Sequence, residues 1–420
     1  MFGKVLHKIK IVPVMLFMLA TVAVIGTQPV SAAGATRYVA TTGTNAGNCS
    51  NPASPCLTIT YAIGQANNDD IIDVAAGTFS EVINASKPLT INGAQAGVDA
   101  RNRSATETVL QTPGGQDKTL NITANNVVID GFTFNGATGT NSLGVNLLGT
   151  SAKNAIIRNN VFTNNKVALD SVGQDISGLR ASKNLFKEND MTGSSNGIFL
   201  GNAAGTDIQI TDNKFIDTDD GSASVSAAMN IYGTDTVPLE NVTIQGNASS
   251  NDGTMLSIHN VNGATITSNT STNQANSAAI RIDFNMNDVT ISGNNLQNGI
   301  NGIRFAGEFP TGGAPATNVT VSGNTIANMT AAGILFEAGS IGGGIVLSAN
   351  TFSSNAANIV NNSGVGITIT NDVGDNIPIP AAINTGGGGA YTTGIVPMVY
   401  GLVAVVTAAS FIAVRKFVRN

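Results

Sequence analysis

Aromatic rings, guanidinium groups and carboxylates recur on a series of short segments between residues 196 and 337. Each segment alternates apolar and polar residues, as from Ala279 to Ile282, and alternate side chains of a strand point to opposite faces. With the apolar residues inward, the pattern predicts an exposed strip that consists of Phe199, Asn230, Tyr232, His259, Arg281, Asp283, Arg304 and Glu337. Rings beside charge-assisted hydrogen-bonding groups are suited to sugar recognition. The alternative is that these are ordinary solvated residues of a sheet.

A second cluster consists of four aspartates between residues 212 and 220, namely Asp212, Asp217, Asp219 and Asp220. Closely spaced carboxylate oxygens are the ligands that Ca²⁺ prefers. A polar loop is the alternative, because the segment offers fewer ligands than a complete calcium loop. The sequence makes no cofactor certain, and Ca²⁺ is its one candidate, at Asp217, Asp219 and Asp220.

The elements that must position these side chains repeat between residues 155 and 371. Each copy has an apolar–any–apolar triplet, two small or polar residues and an asparagine, and the copies are 22 to 34 residues apart. Variable spacing is typical of a solenoid whose coils share one geometry while their loops differ in length. The asparagines are expected to form a buried ladder at one bend, and they are Asn160, Asn184, Asn213, Asn247, Asn269, Asn294, Asn324 and Asn350.

Two further short segments follow the triplet in each copy, so three strands per coil are predicted. Each strand pairs with its equivalent one coil away, about 4.8 Å along the axis, which makes the sheets parallel. In this register His259 and Asp283 are axial neighbours, and so are Arg281 and Arg304. The predicted fold is an all-β triangular solenoid.

The repeat and the segment from Arg37 to Phe79 resemble the right-handed parallel β-helix proteins of the pectate-lyase-like superfold, in particular its exported bacterial members. The resemblance covers about residues 36 to 372. It implies right-handed coils and a short amphipathic helix over residues 61–66 that caps the open end of the solenoid. Ala62, Ile63 and Ala66 would share one face of that helix.

Catalysis in this superfold, where it occurs, uses clustered aspartates with Ca²⁺ and Arg in lyases, or several carboxylates with His and Lys in hydrolases. The hydrolase motifs Asn-Thr-Asp, Gly-His-Gly and Arg-Ile-Lys do not occur here, and His259 is the one histidine after residue 32. No catalytic residue is therefore assigned, because the motifs specify the fold and not an activity. We expect a structural, adhesive or glycan-binding protein. The alternative is a carbohydrate-active enzyme, a polysaccharide lyase or glycoside hydrolase acting on extracellular polysaccharide.

The ends of the chain predict its location. Lys4, Lys8 and Lys10 precede an apolar run and small residues, which indicates a secretory signal, with an uncleaved anchor as the alternative. Residues 394–414 carry no charge and precede a basic tail, which indicates a transmembrane helix with a cytoplasmic C-terminus; a buried soluble helix is the alternative. The expected order in this single-pass cell-surface protein is signal 1–32, cap and first coil 33–80, β-helix 81–372, Pro/Gly-rich stalk 373–393, transmembrane helix 394–414 and tail 415–420.

Charge is distributed unevenly between the body of the chain and its ends. Six of the 20 basic residues lie in the two end segments, which leaves 14 basic against 26 acidic groups in the body, a net charge near −12. Such a field repels phosphate backbones, so nucleic acid is not an expected partner. The expected partners are the membrane, through the C-terminal helix, and glycans or other surface molecules.

The two cysteines, Cys49 and Cys56, lie in a proline-containing loop of the exported part. Pairing in a disulfide is expected in an oxidising compartment. A metal site is disfavoured, because neither histidine is near these cysteines in the sequence.

Overall fold

A computed structural model describes residues 34–136, 142–148, 152–189, 195–218, 227–234, 236–307 and 313–374. The predicted signal segment over residues 1–32, most of the predicted stalk, the predicted transmembrane helix over residues 394–414 and the basic tail lie outside these residues. Within the described ranges, no helix is long and apolar enough to cross a membrane.

Short strands account for nearly all regular structure in the described part of the chain. In chain order the first elements are β1 (Thr36–Val39), α1 (Ile59–Gln65), β2 (Ile71–Val74), β3 (Gly77–Ser80), β4 (Ile83–Ala85), β5 (Thr90–Asn92), a 3₁₀ helix (Ala100–Asn102), β6 (Thr108–Gln111), β7 (Lys118–Ile122), β8 (Val128–Asp130), β9 (Phe132–Asn135), β10 (Leu143–Leu147), β11 (Ile156–Arg158), β12 (Val161–Thr163), β13 (Val167–Val172), β14 (Arg180–Ser182), β15 (Leu185–Lys187) and β16 (Asn196–Ala203). The remaining strands are β17 (Thr206–Thr211), β18 (Lys214–Ile216), β19 (Ala227–Gly233), β20 (Leu239–Gln245), β21 (Ala248–Ser250), β22 (Leu256–His259), β23 (Val261–Thr267), β24 (Thr270–Thr272), β25 (Ile280–Ile282), β26 (Met286–Ser292), β27 (Asn295–Phe305), β28 (Ala316–Ser322), β29 (Thr325–Phe336), β30 (Ile341–Ser348), β31 (Thr351–Ser353), β32 (Ile359–Asn361) and β33 (Thr368–Thr370).

These strands stack as the coils of a parallel solenoid with three faces. The first face is a sheet of 13 strands in the order β1-β2-β5-β8-β11-β14-β17-β20-β23-β26-β28-β30-β33. The other two faces form one 20-stranded assembly, because β27 and β29 are long enough to continue from the second face into the third. The third face consists of β4, β7, β10, β13, β16, β19, β22, β25, the C-terminal parts of β27 and β29, and β32.

The eight asparagines of the repeat lie at equivalent bends and are all buried. Seven of them donate from the backbone N and from Nδ2 to Oδ1 of the next asparagine, as Asn294 does to Asn324 at 2.9 Å in both cases. The last, Asn350, donates in the same way to Asp372 Oδ1. The residue before each ladder asparagine has a positive φ, between 54° and 67°. Glycine and short polar residues tolerate this backbone best, which explains the small or polar residues that precede each asparagine in the sequence.

Phenylalanine rings fill much of the interior. Phe134, Phe162, Phe186 and Phe215 stack on successive coils with centroids 4.7 to 4.9 Å apart, close to the strand spacing. Equivalent inward positions therefore hold identical rings, and their repetition keeps each coil in register with the next.

The N-terminal end of the solenoid is closed by α1 and a disulfide. The helix begins at Ile59, two residues before the start predicted from sequence, because the Thr58 hydroxyl accepts a hydrogen bond from the backbone N of Tyr61 and caps it. Ile59, Ala62 and Ile63 are buried beneath it. Cys49 and Cys56 are joined in a disulfide.

Candidate functional site

The predicted strip lies on the outer side of the third face. Phe199, Asn230, Ser257 and Arg281 are paired in register on β16, β19, β22 and β25, so their side chains form one axial column. Strand alternation explains this outward placement, since the preceding residue on each strand, such as Ile198 or Met229, is fully buried.

A second column runs beside the first, two residues further along each strand. It contains Tyr232, His259 and Asp283. Tyr232 pairs with His259 in register, and Asp283 lies beside His259 because the preceding residues, Ile258 and Ile282, are paired. Arg281 and Arg304 are paired in register, so the axial neighbours expected from the sequence are adjacent in the structure.

Both columns border a groove of about 680 Å³ that extends from β13 to β25. Six members of the predicted strip line it, namely Phe199, Asn230, Tyr232, His259, Arg281 and Asp283. Arg304 and Glu337 belong to β27 and to the residue after β29, beyond the end of the groove. The strip thus divides into six groove residues and a charged pair outside it.

The strip is less exposed than its sequence pattern predicts. Asn230 and Asp283 are only 8% and 6% exposed. Neighbouring rungs are only about 4.8 Å apart, so longer side chains contact the shorter ones next to them, as Arg281 does with Asp283. The shorter polar groups therefore form the floor of the groove.

An aromatic row forms one wall. The Tyr232 and His259 rings stack with centroids 4.4 Å apart and planes 11° apart, and Phe199 meets Tyr232 edge to face at 5.7 Å. Phe284 continues the row beside His259 at 4.7 Å, although it lies in a turn after β25, where strand alternation gives no prediction. Because two of the rings stack on each other, the groove is bordered by ring edges and by the Tyr232 hydroxyl.

Two ion pairs lie at the C-terminal end of the strip. Arg281 Nε donates to Asp283 Oδ1 at 2.8 Å. Arg304 Nε donates to Glu337 Oε1 at 2.8 Å, and its Nη1 donates to Ser277 Oγ at 2.8 Å. The second oxygen of Glu337 accepts the backbone N–H of Gly307 at 2.9 Å. The Arg304–Glu337 pair is therefore fixed at both partners and holds neighbouring coils together.

Asp170 lines the groove but lies outside the predicted strip. It occupies β13, directly opposite Phe199 of β16. The alternation of residues 167–172 places Asp170 on the outer side of its strand. Extending the predicted strip by one coil toward the N-terminus would therefore have included Asp170. Burial raises the pKa of Asp170 to about 6, against the opposing charge of Lys118.

Burial shapes the protonation of the other groove groups. It raises the pKa of Asp283, opposed chiefly by the charge of Arg281. It also raises the pKa of Tyr232, with a further contribution from the negative charge of Asp170. The Tyr232 hydroxyl therefore stays protonated at neutral pH and can both donate and accept a hydrogen bond.

The predicted calcium cluster is only partly within the described residues. Asp219 and Asp220 lie outside them, while Asp212 and Asp217 flank β18 at its opposite ends. Among the residues that the structure describes, no group of three or more His, Cys, Asp or Glu side chains could hold a metal ion.

Residues 223–377 match the family described as the right-handed β-helix region. This match and the parallel registers of all three faces confirm the predicted fold class, an all-β right-handed parallel β-helix. Comparison with curated protein sequences finds no match.

Several solved structures have a similar backbone. The catalytic unit of a thermostable GH87 α-1,3-glucanase from Streptomyces thermodiastaticus is 15% identical, with a TM-score of 0.46, over 75% of this chain and 66% of that one. An alginate lyase from Paenibacillus is 13% identical, with a TM-score of 0.39, over 78% and 96% of the two chains. A polygalacturonase from Erwinia carotovora is 13% identical, with a TM-score of 0.45, over 85% and 98%. Likenesses at this level carry no information on activity.

Proposed function

We propose that this protein binds an extended glycan in the groove on its third face, with the sugar chain along the solenoid axis. The observation that carries the proposal is the aromatic row of Phe199, Tyr232 and His259 beside a floor of polar side chains. Ligand sites in proteins are concave, with apolar walls and a few placed polar groups, and the volume of this groove falls in their usual range.

The length of the groove favours a chain over a single sugar. Four rungs separate β13 from β25, and at about 4.8 Å per rung this gives a span of about 19 Å. The rungs are evenly spaced, and each presents a different side chain of the first column to the groove. A linear oligosaccharide along the axis could therefore contact several rungs at once.

Charge favours a neutral glycan. Arg281, the arginine that lines the C-terminal end of the groove, already pairs with Asp283. The body of the chain carries a net charge near −12, from 14 basic and 26 acidic groups. An anionic polymer would be repelled at long range unless a cation such as Ca²⁺ bridged the contact. Hydrogen bonds to hydroxyls from Asn230, Tyr232 and Arg281 need no charged ligand.

We also place the protein at the cell surface, with the β-helix outside and residues 394–414 in the membrane. The support is the sequence pattern of the two ends, whose residues lie outside the described structure. A surface glycan or an environmental polysaccharide would then be the ligand that the groove meets.

Glycan binding is tested by screening a panel of neutral and anionic oligosaccharides against the wild type and Tyr232→Ala. Thr290→Ala is the matched control, because Thr290 is an exposed residue of the first face. We expect at least one neutral glycan to bind the wild type and the control, and to bind Tyr232→Ala more weakly. Absence of binding to the whole panel, or equal binding by Tyr232→Ala, would contradict the proposal.

Glycan cleavage is the second candidate, and the placement of Asp283 and Glu337 favours it. They follow Ile282 and Phe336, which are joined in register through Phe305, so the two residues lie two rungs apart along the axis. That is about 9–10 Å, close to the upper end of the separation of roughly 6.5–9.5 Å between the acid and the base of inverting glycosidases. The raised pKa of Asp283 suits a proton donor.

Cleavage is tested by assaying a polysaccharide panel for new reducing ends and unsaturated products, with and without Ca²⁺. If the protein is an enzyme of this kind, Asp283→Asn abolishes turnover while Asp288→Asn, an exposed change on β26, leaves it intact. Turnover that survives Asp283→Asn would exclude this pair. Binding without turnover on every substrate would leave recognition as the function.

A further inference from the structure

Three side chains at the N-terminal end of the groove form a cluster that glycan binding does not require. Lys118, Asn146 and Asp170 lie on β7, β10 and β13, which are successive rungs of the third face. Lys118 Nζ donates to the side-chain oxygen of Asn146 at 3.0 Å, and the side-chain nitrogen of Asn146 donates to Asp170 Oδ2 at 3.3 Å. The carboxamide thus stands between an amine and a carboxyl group.

The orientation of the Asn146 carboxamide follows from its neighbours. The opposite orientation would turn its nitrogen toward the Lys118 ammonium and its oxygen toward the Asp170 carboxylate. It would gain only a 3.5 Å hydrogen bond from Asn146 Nδ2 to Asn121 Oδ1. The orientation with the oxygen toward Lys118 satisfies both charged groups, and we adopt it.

The carboxamide of the cluster is shielded from water, and the lysine and the aspartate on either side of it are half-buried. Asn146 is 2% exposed. Leu143 is the register partner of Lys118 and places apolar surface beside its methylene stem. Burial raises the pKa of Asp170 to about 6, so this carboxyl group can take up and release a proton near neutral pH. An amine, a buried carboxamide and a proton carrier are thus in contact, which are the three groups that an amide exchange reaction needs.

We propose that Lys118 and Asn146 become joined by an intramolecular isopeptide bond, with Asp170 as the proton carrier. The bond would link neighbouring coils covalently at the end of the groove. It concerns a modification site and is independent of whether the groove binds a glycan.

The step balances without any added oxidant or reductant. The Lys118 ammonium releases one proton to water, and the free amine Nζ adds to Cγ of Asn146. In the adduct both nitrogens are attached to Cγ, next to Asp170, which takes a proton from Nζ and delivers one to Nδ2. The Cγ–Nδ2 bond then breaks and ammonia leaves, to be protonated in water. One lysine ammonium and one carboxamide thus become one secondary amide and one ammonium ion, and Asp170 is regenerated.

Mass spectrometry of the purified full chain tests the proposal. We expect proteolysis to yield a branched peptide that contains residues 118 and 146 and is lighter by one ammonia than the two linear peptides together. Fragmentation of this peptide must place the link between Lys118 and Asn146. Ammonia is also lost when an Asn-Gly pair forms a succinimide, as the pair Asn135 and Gly136 could do, so the intact mass alone does not decide.

Three variants complete the test. Lys118→Met keeps the stem without the amine, Asp170→Asn keeps the shape without the proton carrier, and both should give only linear peptides. Lys166→Met is the matched control, because Lys166 also borders the groove but does not contact Asn146; it should retain the branched peptide. Linear peptides from the wild type, a mass loss located only at Asn-Gly pairs, or an undiminished link in Asp170→Asn would each overturn the proposal.

Discussion

Replacing Asn294 by leucine probes the asparagine ladder at its most regular point. Asn294 is 1% exposed. Its Oδ1 accepts the backbone N of Asn269 at 2.9 Å, and its Nδ2 donates to the Ile266 carbonyl oxygen at 2.9 Å. A leucine has a similar volume but neither group, so these two buried backbone atoms would lose their hydrogen bonds.

The expected loss follows from those two atoms. A buried polar group left without a partner costs about 1–3 kcal/mol, so the free energy of unfolding should fall by roughly 2–6 kcal/mol. Asn324 Oδ1 keeps a bond from the backbone N of residue 294, and Asn269 Nδ2 keeps its bond to the Ile244 carbonyl, so they add little.

The assay is chemical denaturation followed by circular dichroism, with Asn295→Leu as the control. Asn295 is the next residue, its side chain points outward at the start of β27, and its Oδ1 accepts a hydrogen bond from the Gln297 side chain. Its replacement should cost less than about 1 kcal/mol. Equal losses at positions 294 and 295 would refute the assignment of the ladder to Asn294 and of the solvent face to Asn295.

Three further predictions concern the cap, the groove and the ends. Replacing both Cys49 and Cys56, which are seven residues apart, by serine should lower the stability of the cap by about 2.5 kcal/mol in the chain-entropy account. Denaturation is followed at Tyr38 and Tyr61 in the cap and compared with unfolding of the rest of the solenoid. Equal destabilisation of the cap and of the rest of the solenoid would contradict this local role. Because the pKa of Asp170 is raised to about 6 in the folded state, the stability that its protonated form contributes is lost as the pH rises from about 4 to about 6. The fall in melting temperature over this range should therefore be smaller in Asp170→Asn than in the wild type. Identical pH profiles of the two proteins would contradict a raised pKa at Asp170. Deleting residues 394–420 should release the protein into the medium, and retention of the truncated protein by washed cells would contradict the predicted anchor.

Periodicity in the sequence was enough to predict the fold of the described region. The apolar triplets and their asparagines repeat once per coil, and a parallel solenoid places equivalent residues on neighbouring strands. Alternation then assigned each side chain to the interior or the surface, so the pairing of Arg281 with Arg304 and the adjacency of His259 and Asp283 could be derived without coordinates.

The depth of the groove could not be predicted in the same way. Alternation predicts that Asn230 and Asp283 point outward, but their burial depends on how neighbouring long side chains pack around them. Phe284 joins the aromatic row from a turn, where no period applies. Asp170 could have been predicted from alternation, because its strand has the same pattern as the later strands of the third face.

The cluster of Lys118, Asn146 and Asp170 shows a second limit. These residues are 28 and 24 positions apart in the sequence, and the loops between coils vary in length. The observed register pairs Asn146 with Asp170, whereas Lys118 pairs with Leu143 and reaches Asn146 only through its long side chain. The segments that carry the predicted signal, the membrane helix, Asp219 and Asp220 lie outside the described residues, so those expectations stay predictions.

The most direct test of glycan recognition is the affinity of the protein for neutral oligosaccharides of increasing length, measured by calorimetry with the best ligand class from the panel. If the sugar chain lies along the axis, affinity should rise with each added sugar until the groove of about 19 Å is filled, and then level off. Tyr232→Ala should weaken binding of the longest ligand by about tenfold or more, equivalent to about 1.4 kcal/mol. Affinity that does not depend on length, or that is unchanged in Tyr232→Ala, would contradict an extended glycan in this groove.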